Sequence, residues 1–415
     1  MKIAIVGSGI AGLTCAYLLN RQHDIQVFEA SDWIGGHTHT VDVQVEGRSY
    51  AIDTGFIVFN DWTYPNFIRL LEQIGVGFKP TEMSFSVSDP ATGVEYNGHD
   101  LNTLFAQRSN LLSPAFWGML RDILRFNRQS LDDLANNRIS ADTTLGQYLD
   151  SNGYGRRFIE HYIVPMGSAI WSMSLADMLG FPLQFFVRFC KNHGLLSVSD
   201  RPTWQVIEGG SRSYVAPLTA SFAERIRLNC PVSRVVRDQD GVTLHSAAGA
   251  ERFDKVIFAC HSDQALALLD QASEKESEIL GALPYANNDV VLHTDTRLLP
   301  KRKLAWASWN YRLGGPREQM AAVTYDMNIL QGIDSDTTFC VSLNQTAAID
   351  PSKILARFQY AHPQYSLAGT AAQARWEELL GAQHTYYCGA YWANGFHEDG
   401  VVSALRVARA FGETL

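Results

Sequence analysis

The chain has 415 residues, of which 46% are apolar and 19% are charged, so it can bury a large core and falls outside the disordered class. Its 34 basic and 43 acidic residues leave a net charge of −9, which argues against general nucleic-acid binding. The six cysteines form no CxxC pair, which predicts reduced thiols in a reducing compartment.

The first thirty residues carry the pattern of a strand, a glycine turn, a helix and a second strand. Residues 3–6 are an unbroken apolar run, typical of a strand that is buried on both faces. Gly7, Gly9 and Gly12 follow in GxGxxG spacing and open an amphipathic helical pattern, and a second apolar run ends on Glu29. These parts fall in the register of a dinucleotide-binding βαβ unit, so we predict a bound dinucleotide.

Each residue of this motif has a physical role in that prediction. Gly7 permits the tight turn, Gly9 lets the backbone approach a pyrophosphate, and Gly12 brings the helix close to the strand. The N-terminus of the helix offers unpaired N–H groups to the phosphates. Glu29 can accept hydrogen bonds from an adenosine ribose and would repel the 2′-phosphate of NADP, which leaves NAD and FAD open.

The chain continues with loops and short strands up to residue 75. The pair Gly35 and Gly36 suits a second close approach of the backbone to the cofactor. Residues 41–52 alternate apolar and polar side chains, which predicts a hairpin, and residues 53–59 form a small-residue turn before an aromatic segment. A helix then ends at Gly75.

Later segments alternate between helical and strand-rich patterns. Residues 100–200 are helical, and residues 288–343 hold several strand-like runs, including 305–309, that predict a mostly antiparallel sheet. Residues 386–392 predict a strand before a closing helix. We therefore expect an α/β protein with a discontinuous Rossmann-like domain and an inserted α+β substrate domain. The predicted cofactor domain comprises 1–75, 200–270 and 380–415, and the predicted substrate domain comprises 76–199 and 271–379.

Four blocks of this sequence are Val6-Gly-Ser-Gly-Ile-Ala-Gly-Leu13, Phe28-Glu-Ala30 with Gly35-Gly36, Gly209-Gly210, and residues 389–400. Together they resemble the flavin-containing amine oxidase superfamily, which includes phytoene desaturases and protoporphyrinogen oxidases. The blocks GGHTHT, residues 257–263 and Gly395-Phe-His-Glu-Asp-Gly400 are similar to a bacterial branch related to the flavin domain of plant cyclopropane-fatty-acid synthases. The resemblance covers nearly the whole chain.

The resemblance implies an amine-oxidase-like two-domain architecture and FAD as the cofactor. The single fingerprint agrees with this, because no second Rossmann unit is left for a nicotinamide dinucleotide. By resemblance the glycine turn carries the pyrophosphate, and the start of the closing helix faces the pyrimidine edge of the flavin. The residues so assigned to the cofactor are Gly7, Ser8, Gly9, Ile10, Ala11, Gly12, Glu29, Ala30, Gly35, Gly36, His37, Thr38, Thr54, Gly55, Phe56, Ile57, Val232, Gly389, Glu398, Asp399 and Val401.

Three positions depart from the pattern of the amine oxidases. His37 stands where they usually have Arg, residues 287–293 lack the Lys that many place opposite the flavin, and Phe396 replaces a Tyr. These differences favour a lipid-like substrate over an amine. His37 and His39 have the spacing of metal ligands, but no cluster of Cys or carboxylate residues completes a site, so we expect no metal.

A set of large aromatic residues predicts the wall of an apolar substrate pocket, although each could equally belong to the core. The candidates are Phe59, Trp171, Trp309, Tyr391, Trp392 and Phe396. His397, Glu398 and Asp399 could be general acid–base groups, but a helix cap that orients the cofactor is favoured for them. No convincing catalytic base is found, so the catalytic residues stay unassigned, as does any covalent link to the flavin.

We therefore predict an FAD-dependent oxidoreductase that removes a hydride from an apolar substrate, such as an unsaturated or modified fatty acyl chain. Two alternatives stay open: an amine or polyamine oxidase that produces hydrogen peroxide, and a non-catalytic flavin-binding partner of a lipid methyltransferase. The expected partner is a small lipid-like molecule, with a functional link to a fatty-acid methyltransferase and no nucleic acid.

No apolar run reaches the length of a membrane span, and no secretory signal fits before a motif that begins at residue 3. We expect a cytoplasmic protein. Residues 116–128 and 181–191 mix aromatic with basic side chains, which leaves peripheral contact at the inner membrane face as an alternative to ordinary helix packing.

Overall fold

The computed structural model describes residues 1–315 and 320–415. The strands within these residues are β1 (Lys2–Val6), β2 (Asp24–Phe28), β3 (Thr40–Val45), β4 (Arg48–Asp53), β5 (Val58–Asn60), β6 (Phe78–Pro80), β7 (Phe85–Asp89), β8 (Val94–Asn97), β9 (Trp204–Ile207), β10 (Ile226–Arg227), β11 (Val232–Asp238), β12 (Gly241–Ser246), β13 (Gly249–Phe253), β14 (Lys255–Phe258), β15 (Tyr285–His293), β16 (Trp309–Arg312), β17 (Val323–Asp326), β18 (Cys340–Leu343), β19 (Ile354–Pro363) and β20 (Thr385–Tyr387).

The helices of the same residues include one segment with π-helical hydrogen bonding, Ile159–Ile163, between α6 and α7. The α-helices are α1 (Ile10–Leu19), α2 (Pro65–Gln73), α3 (Leu101–Leu104), α4 (Pro114–Ala135), α5 (Leu145–Ser151), α6 (Arg156–Phe158), α7 (Val164–Trp171), α8 (Leu175–Leu179), α9 (Leu183–Asn192), α10 (Val215–Thr219), α11 (Ser262–Leu268), α12 (Glu274–Gly281), α13 (Met327–Leu330), α14 (Leu367–Gln373) and α15 (His397–Ala410).

A parallel five-stranded sheet carries the glycine turn, in the order β10-β2-β1-β14-β20. Ile3 of β1 pairs with Ile25 on one side and with Lys255 on the other, and every pairing in this sheet is parallel. Its strands come from the three stretches 1–75, 200–270 and 380–415. The carboxyl ends therefore meet at one edge, where open α/β sheets bind their ligands. The exact domain boundaries stay a prediction.

Helix α1 is buried on nearly every face, whereas its sequence pattern predicted an amphipathic helix. Every residue of α1 is buried except Tyr17, because the sheet covers one side and α15 covers the other. The contact with α15 is close: a Cβ on Gly400 would lie 2.7 Å from Cγ2 of Ile10. The two ends of the chain thus pack together in one core.

The second large sheet has the order β19-β15-β18-β17-β16-β7-β8. Its pairings are antiparallel apart from β16 with β7, where Trp309 lies opposite Phe85 in a parallel register. The mostly antiparallel prediction is therefore confirmed. The strand predicted at 305–309 is wrong for most of its length, since Lys303–Ala305 is a 3₁₀ turn and β16 begins at Trp309. The strand predicted at 386–392 ends at Tyr387, and Ala390–Trp392 is a 3₁₀ turn.

Helices α4, α7 and α9 pack on this second sheet around one apolar core. Phe126 of α4, Phe158 of α6 and Phe186 of α9 are fully buried in it. The predicted class is confirmed as a two-domain α/β architecture with a parallel sheet and an α+β part. No helix in residues 1–315 and 320–415 is long and apolar enough to cross a membrane.

Candidate functional site

A cavity of about 910 Å³ begins at the glycine turn after β1 and continues between the two large sheets. One part is lined by backbone and polar groups of the parallel sheet, including Gly9 and Glu29. The other part is lined by apolar side chains of the helices and the second sheet, including Met166 and Trp309. This volume lies within the usual range of small-molecule and cofactor sites, and the polar part lies at the carboxyl edge of the parallel sheet.

The three motif glycines meet three different environments. A Cβ on Gly7, whose φ is +107°, would lie 2.9 Å from the carbonyl oxygen of Ala259, and a Cβ on Gly12 would lie 2.0 Å from that of Gly7. Side chains at these two positions would break the turn. A Cβ on Gly9 would meet no protein atom within 4 Å, since Gly9 faces the cavity. This open cradle at the start of α1 fits a phosphate group.

Glu29 follows the end of β2 and lines the cavity beside this turn. Its Oε2 accepts hydrogen bonds from the Ser8 backbone N (2.9 Å) and Oγ (2.6 Å), and its Oε1 accepts one from the Ser31 N (2.8 Å). Three bonds leave a carboxylate with further acceptor capacity. Glu29 is thus held in place with acceptor capacity left for the hydroxyl groups of a ribose.

The loop after β2 crosses the start of α1 and carries His37 to the cavity. Gly36 has a φ of +59°, and its Cβ would lie 3.2 Å from the Gly9 Cα. The His37 Nε2 is buried and has no hydrogen-bond partner, although it belongs to a residue that lines the cavity. A buried polar atom without a partner calls for an explanation, and an anionic oxygen of a bound cofactor supplies one.

Two further histidines that sequence reasoning did not assign to the cofactor lie beside His37. The ring centroids of His261 and His362 are 6.1 Å and 5.5 Å from that of His37. Burial lowers the pKa of His261 and His362 to about 3 and also lowers the pKa of His37, so all three rings are neutral at pH 7. Within residues 1–315 and 320–415, no group of three His, Cys, Asp or Glu side chains could hold a metal ion.

Thr38 and Thr54, both predicted to contact the cofactor, lie just behind the cavity wall. The Thr38 Oγ1 bonds to the His397 Nε2, and the Thr54 hydroxyl donates to the His39 carbonyl and bonds to Tyr360. A Cβ on Gly55 would lie 2.2 Å from the His37 carbonyl oxygen. The two threonines therefore hold the loops that present Gly35, Gly36, Gly55, Phe56 and Ile57 to the cavity.

The closing helix α15 points its first turn at the cavity, but its acidic side chains turn away. The Glu398 carboxylate accepts hydrogen bonds from the Asn66 N (3.1 Å) and Nδ2 (2.6 Å) and from the Phe67 N (2.8 Å), so it caps α2. Asp399 accepts from the Phe396 N at 2.9 Å. Both acids line a separate cavity of about 380 Å³. Phe396 and His397 are the residues of this turn that line the main cavity.

The remaining predicted cofactor residues also divide into those that line the cavity and those that do not. Ser8, Ile10, Ala11, Ala30, Val232 and Gly389 line the cavity. Gly12 and Val401 do not line it: Gly12 faces the turn at Gly7 and Ala259, and Val401 is buried in the core of the parallel-sheet side.

Of the six aromatic residues predicted for the substrate pocket, four line the cavity: Trp171, Trp309, Tyr391 and Phe396. Phe59 and Trp392 do not, since Phe59 is fully buried in the core of the parallel-sheet side and Trp392 packs in another core cluster. The structure adds apolar lining residues that the sequence pattern did not single out. They are Phe85, Tyr96, Tyr162, Met166, Ile170, Phe189, Leu195 and Tyr325.

The apolar part of the cavity offers no carboxylate among its described lining residues. His193 lines this part of the cavity, and burial lowers the pKa of His193 to about 4. Burial raises the pKa of Tyr162 to about 12 and raises that of Tyr325 further still. These groups are uncharged at pH 7. The neutral imidazole of His193 is a weak proton acceptor, whereas the two tyrosines are protonated, and the catalytic residues stay unassigned. Tyr162 lies on the π-helical segment, which its sequence does not reveal.

The model of the family described as flavin containing amine oxidoreductase matches residues 10–327. The 1-hydroxycarotenoid 3,4-desaturase of Flavobacterium sp. (strain P99-3) is 33% identical over 100 residues, or 24% of this chain and 18% of that protein. The zeta-carotene desaturase of Solanum lycopersicum is 36% identical over 76 residues, or 18% of this chain and 12% of that protein.

A protein named flavin-containing monoamine oxidase AofH, from Mycobacterium tuberculosis, is 24% identical over 275 residues, or 62% of this chain and 56% of that protein. The matched segments thus span less than two thirds of each curated relative. Among solved structures, a fatty acid isomerase from P. acnes that produces CLA has a TM-score of 0.71 at 16% identity and covers 99% of this chain and 98% of its own. Putrescine oxidase bound to putrescine has a TM-score of 0.69 at 14% identity, with 99% of each chain covered. These structural similarities concern the fold.

Proposed function

The chain belongs to the flavin-containing amine oxidoreductase family and is a flavin-dependent oxidoreductase, and on this premise we propose that it uses FAD to remove a hydride from a largely apolar substrate. The observation that carries the proposal is the cavity itself, in which a polar dinucleotide cradle leads into an aromatic and aliphatic chamber. A bound flavin supplies the two-electron acceptor for the hydride.

FAD is proposed over a flavin mononucleotide because the chain provides groups for an adenosine half. Glu29 is held by Ser8 and Ser31 with acceptor capacity left for a ribose. The open side of Gly9 and the unpartnered His37 Nε2 suit the pyrophosphate. In this proposal the predicted cofactor residues act either by lining the cavity or, for Gly12, Thr38, Thr54, Glu398, Asp399 and Val401, by holding the lining in place.

The residues of the apolar chamber would exclude water and orient the carbon that loses the hydride. Met166, Ile170 and Phe189 present side chains without polar hydrogen-bonding groups, and Tyr325 is neutral. Hydride loss from a C–H bond next to a double bond leaves a delocalised cation, and the adjacent carbon must then lose a proton. The neutral imidazole of His193, whose Nδ1 donates to the Phe189 carbonyl oxygen and leaves Nε2 as an acceptor, lines the cavity and would take up that proton. The first turn of α15 would direct its N–H groups at the negative charge that develops on reduction.

An unsaturated or modified fatty acyl chain is the substrate we propose. The desaturases among the relatives act, by their names, on carotenoids, and the fatty acid isomerase shares the fold. An anaerobic titration with defined unsaturated lipids tests the proposal, and loss of the visible flavin absorbance is the expected result. Flavin that keeps its absorbance with every lipid would contradict it. A link to a fatty-acid methyltransferase and the relation to cyclopropane-fatty-acid synthases stay predictions.

An amine oxidase is the second candidate, since putrescine oxidase shares the fold and AofH is named as a monoamine oxidase. An ammonium substrate would be expected to meet a carboxylate or an acidic wall. Glu29 is the sole Asp or Glu among the described lining residues, and it lies at the glycine turn. Hydrogen peroxide release with a panel of amines and polyamines, in the absence of lipid, would favour this candidate over ours.

We also propose peripheral contact with a membrane through the segment around the start of α4. Leu112, Trp117 and Leu124 are 88%, 50% and 58% exposed, although all three are large and apolar. The aromatic residues of the other candidate helix, α9, face the core instead, with Phe186 fully buried. Co-flotation with anionic vesicles that is lost in Trp117→Ser and kept in the control Trp62→Ser would support the contact, and equal flotation of both variants would refute it.

A further inference from the structure

We propose that Arg201 binds the carboxylate of an acyl substrate at the rim of the apolar chamber, so that the substrate class is a long-chain carboxylic acid in its anionic form. The inference rests on the proposed function for the apolar chamber and adds the polar end of the molecule. It distinguishes a fatty acid from a neutral hydrocarbon, a fatty alcohol or an amine.

The two charged residues of the described cavity wall lie in different parts of the cavity. Among the described residues that line the cavity, Arg201 is the sole Lys or Arg, and Glu29 is the sole Asp or Glu. The Glu29 carboxylate is bound by Ser8 and Ser31 at the glycine turn, in the cofactor part. His193, beside the apolar chamber, is neutral because burial lowers its pKa to about 4. The chamber therefore presents one fixed positive charge and no negative one.

Arg201 is held through one guanidinium nitrogen, Nε. Arg201 lies in the connection between α9 and β9, where its Nε donates to the Ser197 carbonyl oxygen at 3.1 Å. Neither of its Nη nitrogens bonds to an acceptor in the part of the chain that the structure describes, and no described carboxylate forms an ion pair with it. The neighbouring Asp200 is exposed and does not pair with it. A guanidinium held by Nε, with both Nη groups available, matches the two oxygens of a carboxylate.

Arg201 shares the cavity wall with large apolar and aromatic side chains. Tyr162, Leu195 and Trp204 line the cavity with it. Arg201 is near enough to the Tyr162 hydroxyl to counteract, in small part, the burial that raises the pKa of that hydroxyl to about 12. Tyr162 and Leu195 pack on the same apolar cluster as Met166 and Phe189. A chain anchored at Arg201 can therefore extend directly along apolar side chains, as a fatty acid requires.

Binding of three C18 probes tests the inference on the flavin-loaded protein: oleate, oleyl alcohol and oleylamine, each followed by the quenching of tryptophan fluorescence. We expect the protein to bind oleate about tenfold more tightly than the alcohol, as one well-formed charged contact provides. Arg201→Gln should abolish that preference and leave the affinity for the alcohol unchanged. Arg201→Lys should keep part of it, since the charge remains while the paired geometry is lost.

Arg188→Gln is the matched control, because Arg188 is exposed on α9 and does not line the cavity. This variant should keep the full preference for oleate. Equal circular dichroism and flavin content show that each variant is folded. The inference is overturned if Arg201→Gln binds oleate as tightly as the wild type, or if the wild type prefers the alcohol or the amine.

The same probes separate this inference from the proposed function. Oleate that binds through Arg201 but never reduces the flavin supports the anchor and contradicts hydride removal from that chain. A neutral polyene that reduces the flavin, in a wild type that binds oleate no more tightly than oleyl alcohol, supports hydride removal and overturns the anchor.

Discussion

Thr38 and His397 are joined directly, with 3.0 Å between the Thr38 Oγ1 and the His397 Nε2, although 359 residues separate them in the sequence. Thr38 belongs to the loop that follows β2, and His397 is the first residue of α15. The loop that carries Gly36 and the helix that closes the chain are therefore fixed to each other behind the cavity wall.

Thr38→Val should loosen this connection. Valine has nearly the same shape but cannot bond to His397 or to the Tyr214 hydroxyl, which also contacts Thr38. Because both partners are buried, we expect a loss of about 1–3 kcal/mol in the free energy of unfolding, together with weaker flavin retention. Urea denaturation and the flavin-to-protein ratio measure the two effects. Wild-type stability in the variant would show that the bond contributes nothing.

Gly9→Ala and Gly12→Ala should have opposite consequences. Gly9 has a φ of −68° and open space at its Cβ position, so Gly9→Ala should fold with an unchanged melting temperature. The added methyl group would occupy the cradle, and we expect FAD binding to weaken by at least about tenfold. Gly12→Ala places its Cβ 2.0 Å from a carbonyl oxygen and should lose about 1–3 kcal/mol of stability or more. Calorimetry with and without FAD distinguishes the two. A Gly9→Ala protein with full FAD affinity would exclude the proposed cradle.

Glu29→Gln should weaken FAD binding and spare FMN. The amide keeps the size of the side chain but replaces one acceptor oxygen with a donor, which then faces the Ser8 or the Ser31 N–H. Only FAD carries the adenosine that Glu29 is proposed to hold. We expect a loss of about 1–3 kcal/mol in FAD binding by titration calorimetry. An equal loss for FMN would place Glu29 outside the adenosine site.

Asp326→Asn should reduce the dependence of the free energy of unfolding on pH. Asp326 is remote from the cofactor motif. Burial raises the pKa of Asp326 to about 6, and its Oδ1 accepts from the Asn328 and Ile329 N–H groups at the start of α13. Since the pKa is higher in the folded state than its ordinary value of 3.8, folding takes up a proton between these values. The contribution of this group is therefore fully present below about pH 4 and is lost as the pH rises through about 6.

The asparagine amide is neutral at every pH, so its burial does not become less favourable as the pH rises. At pH 7 the difference reaches about 3 kcal/mol at most, because one pKa unit corresponds to about 1.4 kcal/mol. Asp326→Asn should thus gain stability relative to the wild type between pH 4 and pH 7 in denaturant titrations. A constant difference across that range would show that Asp326 is ionised throughout.

The local motif was predictable because its requirements lie within a few residues. GxGxxG spacing, the apolar run before it and Glu29 after it each constrain adjacent backbone, and the fold class and the polar cradle follow from them. The close packing at Gly7 and Gly12 is the geometry expected of those two residues, whereas the role of Gly9 beside a pyrophosphate stays a prediction. By contrast, the amphipathic pattern of α1 did not indicate its burial, since α15 covers its second face from the far end of the chain.

The direction of individual side chains was not predictable. Glu398 directly follows His397, which lines the cavity. The Glu398 carboxylate nevertheless caps α2 through Asn66 and Phe67, which are more than 330 residues away in the sequence. Phe59 and Trp392 have the same aromatic character as Trp171 and Trp309, but they pack in the core, and no local pattern separates the two pairs. The approach of His261 and His362 to His37 likewise depends on strands from distant parts of the chain.

By itself the sequence determined the glycine turn after β1 and the α/β class, because each depends on residue type and short-range spacing. Only the tertiary structure decided which aromatic residues form the chamber, which acids turn away from it, and that Arg201 is the sole Lys or Arg among the described residues of the cavity wall. These features are set by long-range packing, in which a side chain's neighbours come from elements hundreds of residues apart.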